Sequence, residues 1–345
     1  MVFRRRARWA LLVIAVLAAA CGDDDGGAAS AGEGSGQEKL TIYSGREEEY
    51  VAPVYRQIER DLGIDLDVRY GDSAELAATI LEEGDATPAD IFFSQDAGSL
   101  GAVAEAGLFA ELDDEVLDRV SGRFRSPDGS WVGTSGRARV AAYNTDALSE
   151  SDLPASIVEF TDPAWKERIG FPPTNSSFQA FVAAMIITQG EDSTRRFLEG
   201  LVANEPKLYE DNSSTVKAVA DGEIDVGFVN HYYIYEVAEE EGDIPVQNHF
   251  FRDGDPGSLV NAAGVGVLAS SDDRDSAAEV VDFLTGEEAQ EYFDEEMQEY
   301  PVVEGMETST DLIPLAEIES PDIDLSDLGG TLEPALRLLA EVGLL

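Results

Sequence analysis

Cysteine and histidine are scarce in this chain of 345 residues, which contains one cysteine and two histidines. Because the cysteine is Cys21, the rest of the chain has no internal disulfide, no thiolate metal site and no cysteine nucleophile. His231 and His249 form no H-E-x-x-H pair, and no G-x-S-x-G elbow is present. Residues 264–269 match G-x-G-x-x-A, but they lie inside an apolar strand, whereas the dinucleotide motif follows one. The sequence therefore contains none of these catalytic motifs, and we expect that the protein is not an enzyme.

Basic residues are also few. Lysine and arginine number 23 against 70 aspartates and glutamates, so the formal net charge is −47. Nucleic-acid binding needs a basic surface, and we therefore expect no nucleic-acid partner. The acidic residues are spread along the chain, and such an excess is most simply a source of solubility, because exposed charge is screened within about 10 Å.

Long apolar runs are rare, and the clearest one extends from Trp9 to Ala20 after four arginines within residues 4–8. It is too short for a comfortable membrane span, and its basic flank is typical of a secretory signal. The sequence Leu17-Ala-Ala-Ala-Cys21 at its end is similar to a bacterial lipobox, in which the cysteine is lipidated. We therefore predict a lipoprotein signal peptide at residues 1–21 and an extracytoplasmic protein. Cys21 would anchor it to the cell membrane, on the periplasmic or outer face.

Residues 22–38 contain no apolar side chain larger than alanine and cannot contribute to a core. We predict that they form a flexible tether. A tether of this length would have a root-mean-square reach of roughly 20 to 25 Å. The folded body could therefore move above a membrane surface while it stays attached.

The body of the chain, residues 39–345, alternates between strand-like and helix-like patterns. Strands are predicted at 40–43, 64–70, 89–93, 140–143, 168–171, 224–229 and 262–268, and helices around 51–58, 73–81, 178–188, 193–202, 215–220, 232–241, 276–284, 287–299 and 332–342. This alternation favours an α/β architecture with mostly parallel sheets. A body of this length exceeds a typical single core, so we expect two lobes.

Two adjacent tyrosines, Tyr232 and Tyr233, stand where the strand at 224–229 gives way to the helix at 232–241. Neighbouring side chains point to opposite faces within a strand, but at a helix start they diverge by only about 100°. Both phenols can therefore reach one cleft at the carboxyl end of the strand, where they could offer two hard oxygens to a metal ion. The alternative is aromatic packing, with each hydroxyl bonded to a neighbour.

Three segments carry groups suited to an anion. Ser135-Gly-Arg-Ala-Arg139 contains two guanidinium groups, which can hold carboxylate, carbonate or phosphate through parallel hydrogen bonds. Pro173-Thr-Asn-Ser-Ser-Phe178 and Asp211-Asn-Ser-Ser214 each lead into a predicted helix, whose free backbone amides form a natural anion site. For the two arginines, an ordinary surface pair on an acidic protein is the alternative.

Segments along nearly the whole body resemble the ferric-iron substrate-binding proteins of bacterial ABC importers. These segments are Leu40-Thr-Ile-Tyr-Ser-Gly45, Pro88-Ala-Asp-Ile-Phe-Phe-Ser94, Ser135-Gly-Arg-Ala-Arg-Val140, Pro163-Ala-Trp-Lys-Glu-Arg-Ile-Gly170, the run from Gly222 to Tyr233, Asp255-Pro-Gly-Ser-Leu259 and Glu299-Tyr-Pro301. Each segment alone is a weak signal, but their order and spacing together are specific. The resemblance implies the type 2 periplasmic-binding-protein fold, in which two hinged α/β lobes close on one ion.

The resemblance also implies a division of the body into lobes. Lobe 1 would comprise residues 39–134 and 259–304, and lobe 2 would comprise residues 135–258. Residues 305–345 would form a carboxyl-terminal segment that packs on lobe 2. We expect a monomer that captures ferric iron between the lobes and delivers it to an ABC permease.

By the same resemblance, Tyr232 and Tyr233 would bind Fe³⁺ as phenolates, because a hard trivalent cation favours hard anionic oxygens. A synergistic anion, carbonate or phosphate, would complete the coordination shell. The residues that fall where the family holds such an anion are Arg137, Asn175, Ser176, Ser177, Asn212 and Asn230.

The chain departs from the family at the other metal ligands. Glu47 stands where many members have a histidine, Gln95 stands where they have a glutamate, and Phe178 cannot replace the additional tyrosine of some members. Glu47 is therefore a candidate oxygen ligand from lobe 1, with water or a second anion oxygen as the alternative. Two other functions stay open: the same fold binding a polyamine, phosphonate or sugar, and a tethered hydrolase.

Overall fold

A computed structural model describes residues 39–308 and 312–345, so Cys21 and the predicted signal peptide and tether lie outside the described residues. The strands are β1 (Lys39–Ser44), β2 (Asp65–Tyr70), β3 (Ile91–Ser94), β4 (Val132–Asn144), β5 (Ile169–Phe171), β6 (Lys207–Leu208), β7 (Val226–Asn230), β8 (Val246–His249) and β9 (Val260–Val267). The helices are α1 (Glu48–Leu62), α2 (Ser73–Glu83), α3 (Ala97–Glu105), α4 (Asp114–Leu117), α5 (Ser176–Gln189), α6 (Glu191–Ala203), α7 (Asn212–Ala220), α8 (Tyr233–Glu241), α9 (Arg274–Leu284), α10 (Glu287–Glu295) and α11 (Asp327–Glu341).

Helix α1 shows how the sequence pattern produces these elements. Val51, Val54 and Ile58 recur at helical spacing and are buried, so one face of the helix packs on the core. The helix ends at Gly63, which adopts a left-handed conformation with φ 73° and donates its N–H to the carbonyl of Glu59. Glycine accepts this conformation without the steric penalty of a Cβ atom.

Two sheets share strand β4. The first sheet has the order β2-β1-β3-β9-β4, and the second contains β4, β7, β5 and β6, with β8 also paired to β4. Strand pairs β1/β2, β1/β3, β5/β7 and β5/β6 are parallel, whereas the pairs made by β4 and β9 are antiparallel. The predicted α/β class, with parallel strands in both sheets, is confirmed. The lobe boundaries at 134/135 and 258/259 stay predictions.

The junction between the sheets lies within β4. Its residues from Val132 to Ala138 pair with β9, and from Arg139 onward it pairs with β7 and β8. Arg137 lies opposite Asn261 on β9, and Arg139 lies opposite Asn230 on β7. Because strand side chains alternate, the two arginines project from the same face of β4 at this junction.

The carboxyl-terminal helix α11 connects the two halves of the body. It packs against α3, which contacts the first sheet, and against α5, which contacts the second. The expected packing of this segment on lobe 2 therefore describes only part of its contact. Within the described ranges, no helix has both the length and the hydrophobicity that a membrane span requires.

Candidate metal centre

The tyrosine pair, Tyr232 and Tyr233, lies where β7 ends and α8 begins. Tyr232 occupies the N-cap position of α8, and its backbone is already helical, with φ −75° and ψ −20°. The two ring centroids are 4.3 Å apart and the ring planes are inclined by 33°. Both residues are buried, with 7% and 3% of their surface exposed. The strand-to-helix junction therefore brings two neighbouring phenols to one place.

Both phenols are protonated at neutral pH in the metal-free protein. Burial raises the pKa of Tyr232 to about 12, although the nearby charge of Arg137 opposes this shift. Burial also raises the pKa of Tyr233, and the neighbouring Tyr232 adds to this shift. A cation at the phenol oxygens would favour the ionised forms that burial alone disfavours.

Arg137 fixes the oxygen of Tyr232. One Nη atom of Arg137 donates to the Tyr232 hydroxyl, and the guanidinium carbon lies 4.7 Å from the centre of the Tyr232 ring. The other Nη atom donates to the carbonyl of Gln95 at 3.0 Å, and Nε donates to Glu299 at 2.9 Å. Arg137 therefore connects the tyrosine pair to the segment that follows β3.

Glu299 is fully buried between two arginines, and we refer to these residues as the Arg46–Glu299–Arg137 triad. Its carboxylate accepts hydrogen bonds at 2.9 Å from Arg46 and from Arg137, and a further one from Ser135. Burial disfavours the charged form, but the two guanidinium groups outweigh it and lower the pKa of Glu299. Neither Arg46 nor Glu299 was expected at the site from the sequence, although Glu299 opens one of the segments that carried the family resemblance.

A cavity of about 10 Å³ lies beside the tyrosine pair. This volume accommodates a single particle about the size of a water molecule, and we call it the ion-sized cavity. Its lining residues are Arg46, Glu47, Tyr50, Gln95, Arg137, Tyr232, Tyr233, Glu236 and Met297. Within residues 39–308 and 312–345, no cluster of three or more His, Cys, Asp or Glu side chains could hold a metal ion. A metal site here would therefore depend on phenol oxygens.

Glu47, the candidate ligand from the first half of the chain, does reach the ion-sized cavity. It occupies the N-cap position of α1 without a capping hydrogen bond from its side chain. It also lines an adjoining cavity of about 310 Å³, together with Gln95 and Asn175. Loss of hydration raises the pKa of Glu47, and the charges of Arg137 and Arg46 oppose that shift. The carboxylate therefore lies within electrostatic range of both guanidinium groups while it stays open to solvent.

Two residues of the ion-sized cavity, Tyr50 and Glu236, were not identified from the sequence. Burial and the charge of Glu236 raise the pKa of Tyr50, and Ser213 Oγ donates to the Glu236 carboxylate at 2.5 Å. Burial raises the pKa of Glu236 to about 7. Helical spacing could have identified both residues from the sequence. Tyr50 follows Glu47 by one turn of α1, and Glu236 follows Tyr233 by one turn of α8, so each lies on the same helix face as a candidate ligand.

His231, which precedes the tyrosine pair, is a buried structural residue. The N–H of Ala138 donates to its Nδ1 at 3.2 Å, and its Nε2 lies 2.8 Å from the carbonyl of Gln298. These contacts define the neutral tautomer with the proton on Nε2, because Nδ1 acts as the acceptor. Burial lowers the pKa of His231 to about 4. The ring stacks on Tyr300 with centroids 4.6 Å apart, and it thus ties β4 to the segment that follows α10.

Arg139 is a buried cation that contacts no carboxylate within the described part of the chain. It donates to Ser177 Oγ at 3.2 Å and to the carbonyl of Phe228 at 2.7 Å, while its Nε has no partner there. Burial lowers its pKa to about 9, so the group remains charged at neutral pH. Ser177 Oγ in turn donates to Asn175 at 2.6 Å, at the start of α5. Phe178 lies beneath the guanidinium at 5.2 Å, and its ring is buried.

The other predicted anion residues lie on neighbouring elements and do not line the ion-sized cavity. Asn212 opens α7 and is fully buried, and neither polar atom of its side chain has a partner among the described residues. Ser176 opens α5, and Asn230 ends β7 opposite Arg139; both are buried. The structure therefore places Arg137 and Glu47 in the lining of the ion-sized cavity beside the tyrosine pair. The predicted serine and asparagine residues lie outside that lining.

The chain is similar to known proteins over most of its length. Residues 86–321 match the family described as bacterial extracellular solute-binding protein. The Fe(3+)-binding periplasmic protein of Serratia marcescens is 33% identical to this chain over 318 residues, which cover 91% of this chain and 93% of that protein.

Solved structures share the fold. Iron-bound HitA from Pseudomonas aeruginosa is 36% identical, with a TM-score of 0.85, and covers 89% of this chain and 99% of its own. The Trichodesmium protein IdiA (FutA), solved in complex with iron and citrate, is 27% identical, with a TM-score of 0.77, and covers 89% of this chain and 100% of its own. These structures confirm the predicted type 2 periplasmic-binding-protein fold.

The similarity extends over nearly the whole described body and includes the segments that hold the tyrosine pair. It confirms the resemblance to ferric-iron substrate-binding proteins that the ordered segments indicated. The relatives are binding proteins, which confirms the prediction that the chain is not an enzyme. The chain belongs to the family of bacterial extracellular solute-binding proteins.

Proposed function

We propose that this protein captures ferric iron in the ion-sized cavity, with Tyr232 and Tyr233 as phenolate ligands. The observation that carries the proposal is the convergence of two buried phenols on a cavity of the size of one ion. Hard anionic oxygens suit a hard trivalent cation, whose charge favours ionised phenols. The names of the Serratia protein and the Pseudomonas structure support iron as the solute.

The tyrosine pair fills only part of a ferric coordination shell. Glu47 is the predicted oxygen ligand from the opposite side of the cavity, and its place in the lining supports this assignment. Gln95 lines the same cavity, and its backbone carbonyl accepts a hydrogen bond from Arg137.

A synergistic anion, carbonate or phosphate, completes the shell in this proposal. Arg139 and Asn212 support an anion nearby, because a buried cation without a carboxylate and a buried amide without a partner are both costly. Arg137 and the positions Asn175, Ser176, Ser177 and Asn230 are the other proposed anion contacts. The Trichodesmium structure contains citrate with its iron, so citrate is a third anion to compare.

Capture would involve closure of two hinged lobes, followed by delivery to an ABC permease of an iron importer. Lobe 1 would be residues 39–134 and 259–304, and lobe 2 residues 135–258. We propose that the protein acts as a monomer outside the cytoplasm and that a lipid on Cys21 anchors it to the membrane. Family membership supports the extracytoplasmic location and the permease.

The test is a titration of the purified protein with ferric iron, supplied as a weak chelate with carbonate and, separately, with phosphate. We expect a visible phenolate-to-iron charge-transfer band in the wild type. Tyr232→Phe and Tyr233→Phe should each weaken or shift this band, since each removes one phenolate, and the double variant should lose most of it. Absorption spectroscopy, with circular dichroism as the check of folding, measures both results.

Tyr143→Phe is the matched control. Tyr143 is also buried, but it bonds to Gln247 at the far end of β4, away from the ion-sized cavity. The Tyr143→Phe variant should bind iron as the wild type does. A wild type without the band, or a band that survives loss of the tyrosine pair, would contradict the iron assignment. Thermal stabilisation by a polyamine, phosphonate or sugar in place of iron would then support the alternative solute.

A further inference from the structure

The ion-sized cavity is lined by oxygen-bearing side chains from two directions. Tyr232, Tyr233 and Glu236 belong to the start of α8, while Glu47 and Tyr50 belong to the start of α1. The arginines of the triad are already paired with Glu299. The anionic oxygens available to a cation must therefore come from these five side chains or from a bound anion.

Tyr50 has a fixed position at this cavity. It lines both the ion-sized cavity and a larger cavity of about 390 Å³ that also contacts Tyr232 and Glu236. The Tyr292 hydroxyl donates to the backbone carbonyl of Tyr50 at 2.7 Å, which fixes the start of α1. Burial and the nearby charge of Glu236, on α8, raise the pKa of Tyr50.

Glu236 is itself held in place. Ser213, on α7, donates its hydroxyl to Glu236 Oε1 at 2.5 Å. Glu236 lines both cavities together with Tyr50. The side chain of Tyr50 is therefore close to the start of α8, where the tyrosine pair lies.

We propose that Tyr50 supplies a third phenol oxygen to the ferric ion from the α1 side of the cavity, and that the phenol proton is released to solvent when the ion binds. This inference rests on the proposed iron function. Phenolate is the hard oxygen donor that a trivalent ion favours. Glu47 remains the candidate carboxylate ligand at the start of α1, where it lines the same cavity.

The experiment compares Tyr50→Phe with Tyr55→Phe in the full chain. Tyr55 is on the same helix and is buried, but its hydroxyl bonds to Ser44 at 2.8 Å, and it does not line the cavity. With ferric iron supplied as a weak chelate, Tyr50→Phe should shift or weaken the charge-transfer band. It should also lower the iron affinity, measured by chelator competition, by about a hundredfold or more, which exceeds the usual effect of losing an outer-shell partner. Tyr55→Phe should match the wild type.

Two further variants separate coordination from packing. Tyr50→His keeps a side chain that can bind a metal, so it should recover affinity relative to Tyr50→Phe without restoring the phenolate band. Glu236→Gln should lower affinity less than Tyr50→Phe, because it leaves the phenol oxygen of Tyr50 in place. Resonance Raman spectra of the loaded wild type and Tyr50→Phe should differ in their phenolate vibrations.

The outcomes distinguish this inference from the proposed function. If Tyr50→Phe has the band, Raman spectrum and affinity of the wild type while the band weakens or shifts in Tyr232→Phe, Tyr50 is not a ligand and the iron function stands. If the wild type shows no band, both proposals are wrong. Equal losses in Tyr50→Phe and Tyr55→Phe would mean that α1 packing, rather than coordination, is responsible, and would also overturn the role of Tyr50.

Discussion

Glu299 holds two guanidinium groups in place without contact with solvent. It is paired with Arg46 and Arg137, whose side chains are almost fully buried. Since Arg137 also contacts Tyr232, this one carboxylate supports the geometry of the tyrosine pair. A buried charge that loses its partner is strongly destabilising, so the triad is sensitive to neutralisation of its central residue.

Glu299→Gln should lower the free energy of unfolding by about 3 to 5 kcal/mol at neutral pH, because it leaves the buried guanidinium groups without their counter-charge. The pKa of Glu299 is depressed in the folded protein, so its contribution is complete above the unfolded value of 4.5. The contribution is lost as the pH falls through the folded pKa. The difference between wild type and Glu299→Gln should therefore shrink below about pH 4.5. Urea denaturation across pH measures it.

Glu223→Gln is the control for the triad variant. Glu223 pairs with Lys207 at 2.9 Å, but both side chains are about half exposed, so solvent screens the interaction. We expect little change in stability. A Glu299→Gln variant as stable as this control, or a loss that does not vary with acid pH, would contradict the assigned role of the triad.

The packing of helix α11 on α3 depends on a close approach between two glycines, Gly329 and Gly101. A Cβ atom on Gly329 would lie 2.5 Å from the backbone of Gly101 and Ala102 in α3. Real side chains do not tolerate such a distance, so the two helices approach closely only because both positions lack a side chain. The contact lies on the side of α11 that faces the first sheet.

Gly329→Ala should destabilise the protein by about 1 to 3 kcal/mol, because α11 has to move away from α3. Helix propensity alone would predict the opposite sign, by about 1 kcal/mol. Gly330→Ala is the matched control, since its Cβ would meet only the flexible carboxylate of Glu105. We expect this control to be neutral or slightly stabilising. Equal unfolding midpoints for both variants would contradict the close approach.

At the scale of the whole molecule, the formal net charge of −47 should make stability depend on salt. Repulsion among excess carboxylates opposes the compact state, and exposed ion pairs such as Lys39 with Asp67 offset little of it. Between about 0.01 M and about 1 M salt, the Debye length falls from about 30 Å to about 3 Å.

We therefore expect the free energy of unfolding to rise by roughly 1 kcal/mol or more over this range of sodium chloride. Urea denaturation of the metal-free protein at neutral pH measures the change. Potassium chloride is the control for a specific effect of sodium and should give the same curve. A stability that falls with added salt would show that surface ion pairs outweigh the net repulsion.

Local patterns predicted much of the fold. The apolar pattern predicted α1 and β7 close to their observed positions. A helix or strand that buries one face must repeat its apolar residues with the period of that element. The leucine spacing near the end of the chain predicted a helix, and α11 is present. Its contact with both α3 and α5 could not be predicted, because spacing reveals which face is apolar but not which partner covers it.

For the candidate site, too, the sequence predicted some of the residues and only the structure revealed the others. The sequence by itself determined the tyrosine pair at a strand-to-helix junction, the absence of cysteine chemistry and, through ordered segments, the family. Only the tertiary structure decided that Glu299 meets Arg46 across 253 positions and that Tyr50 and Glu236 share a cavity with the tyrosine pair. Junctions and helices follow from interactions between near neighbours in the chain. Buried charge pairs and ion-sized cavities depend on how distant segments pack, and that information lies in no single segment.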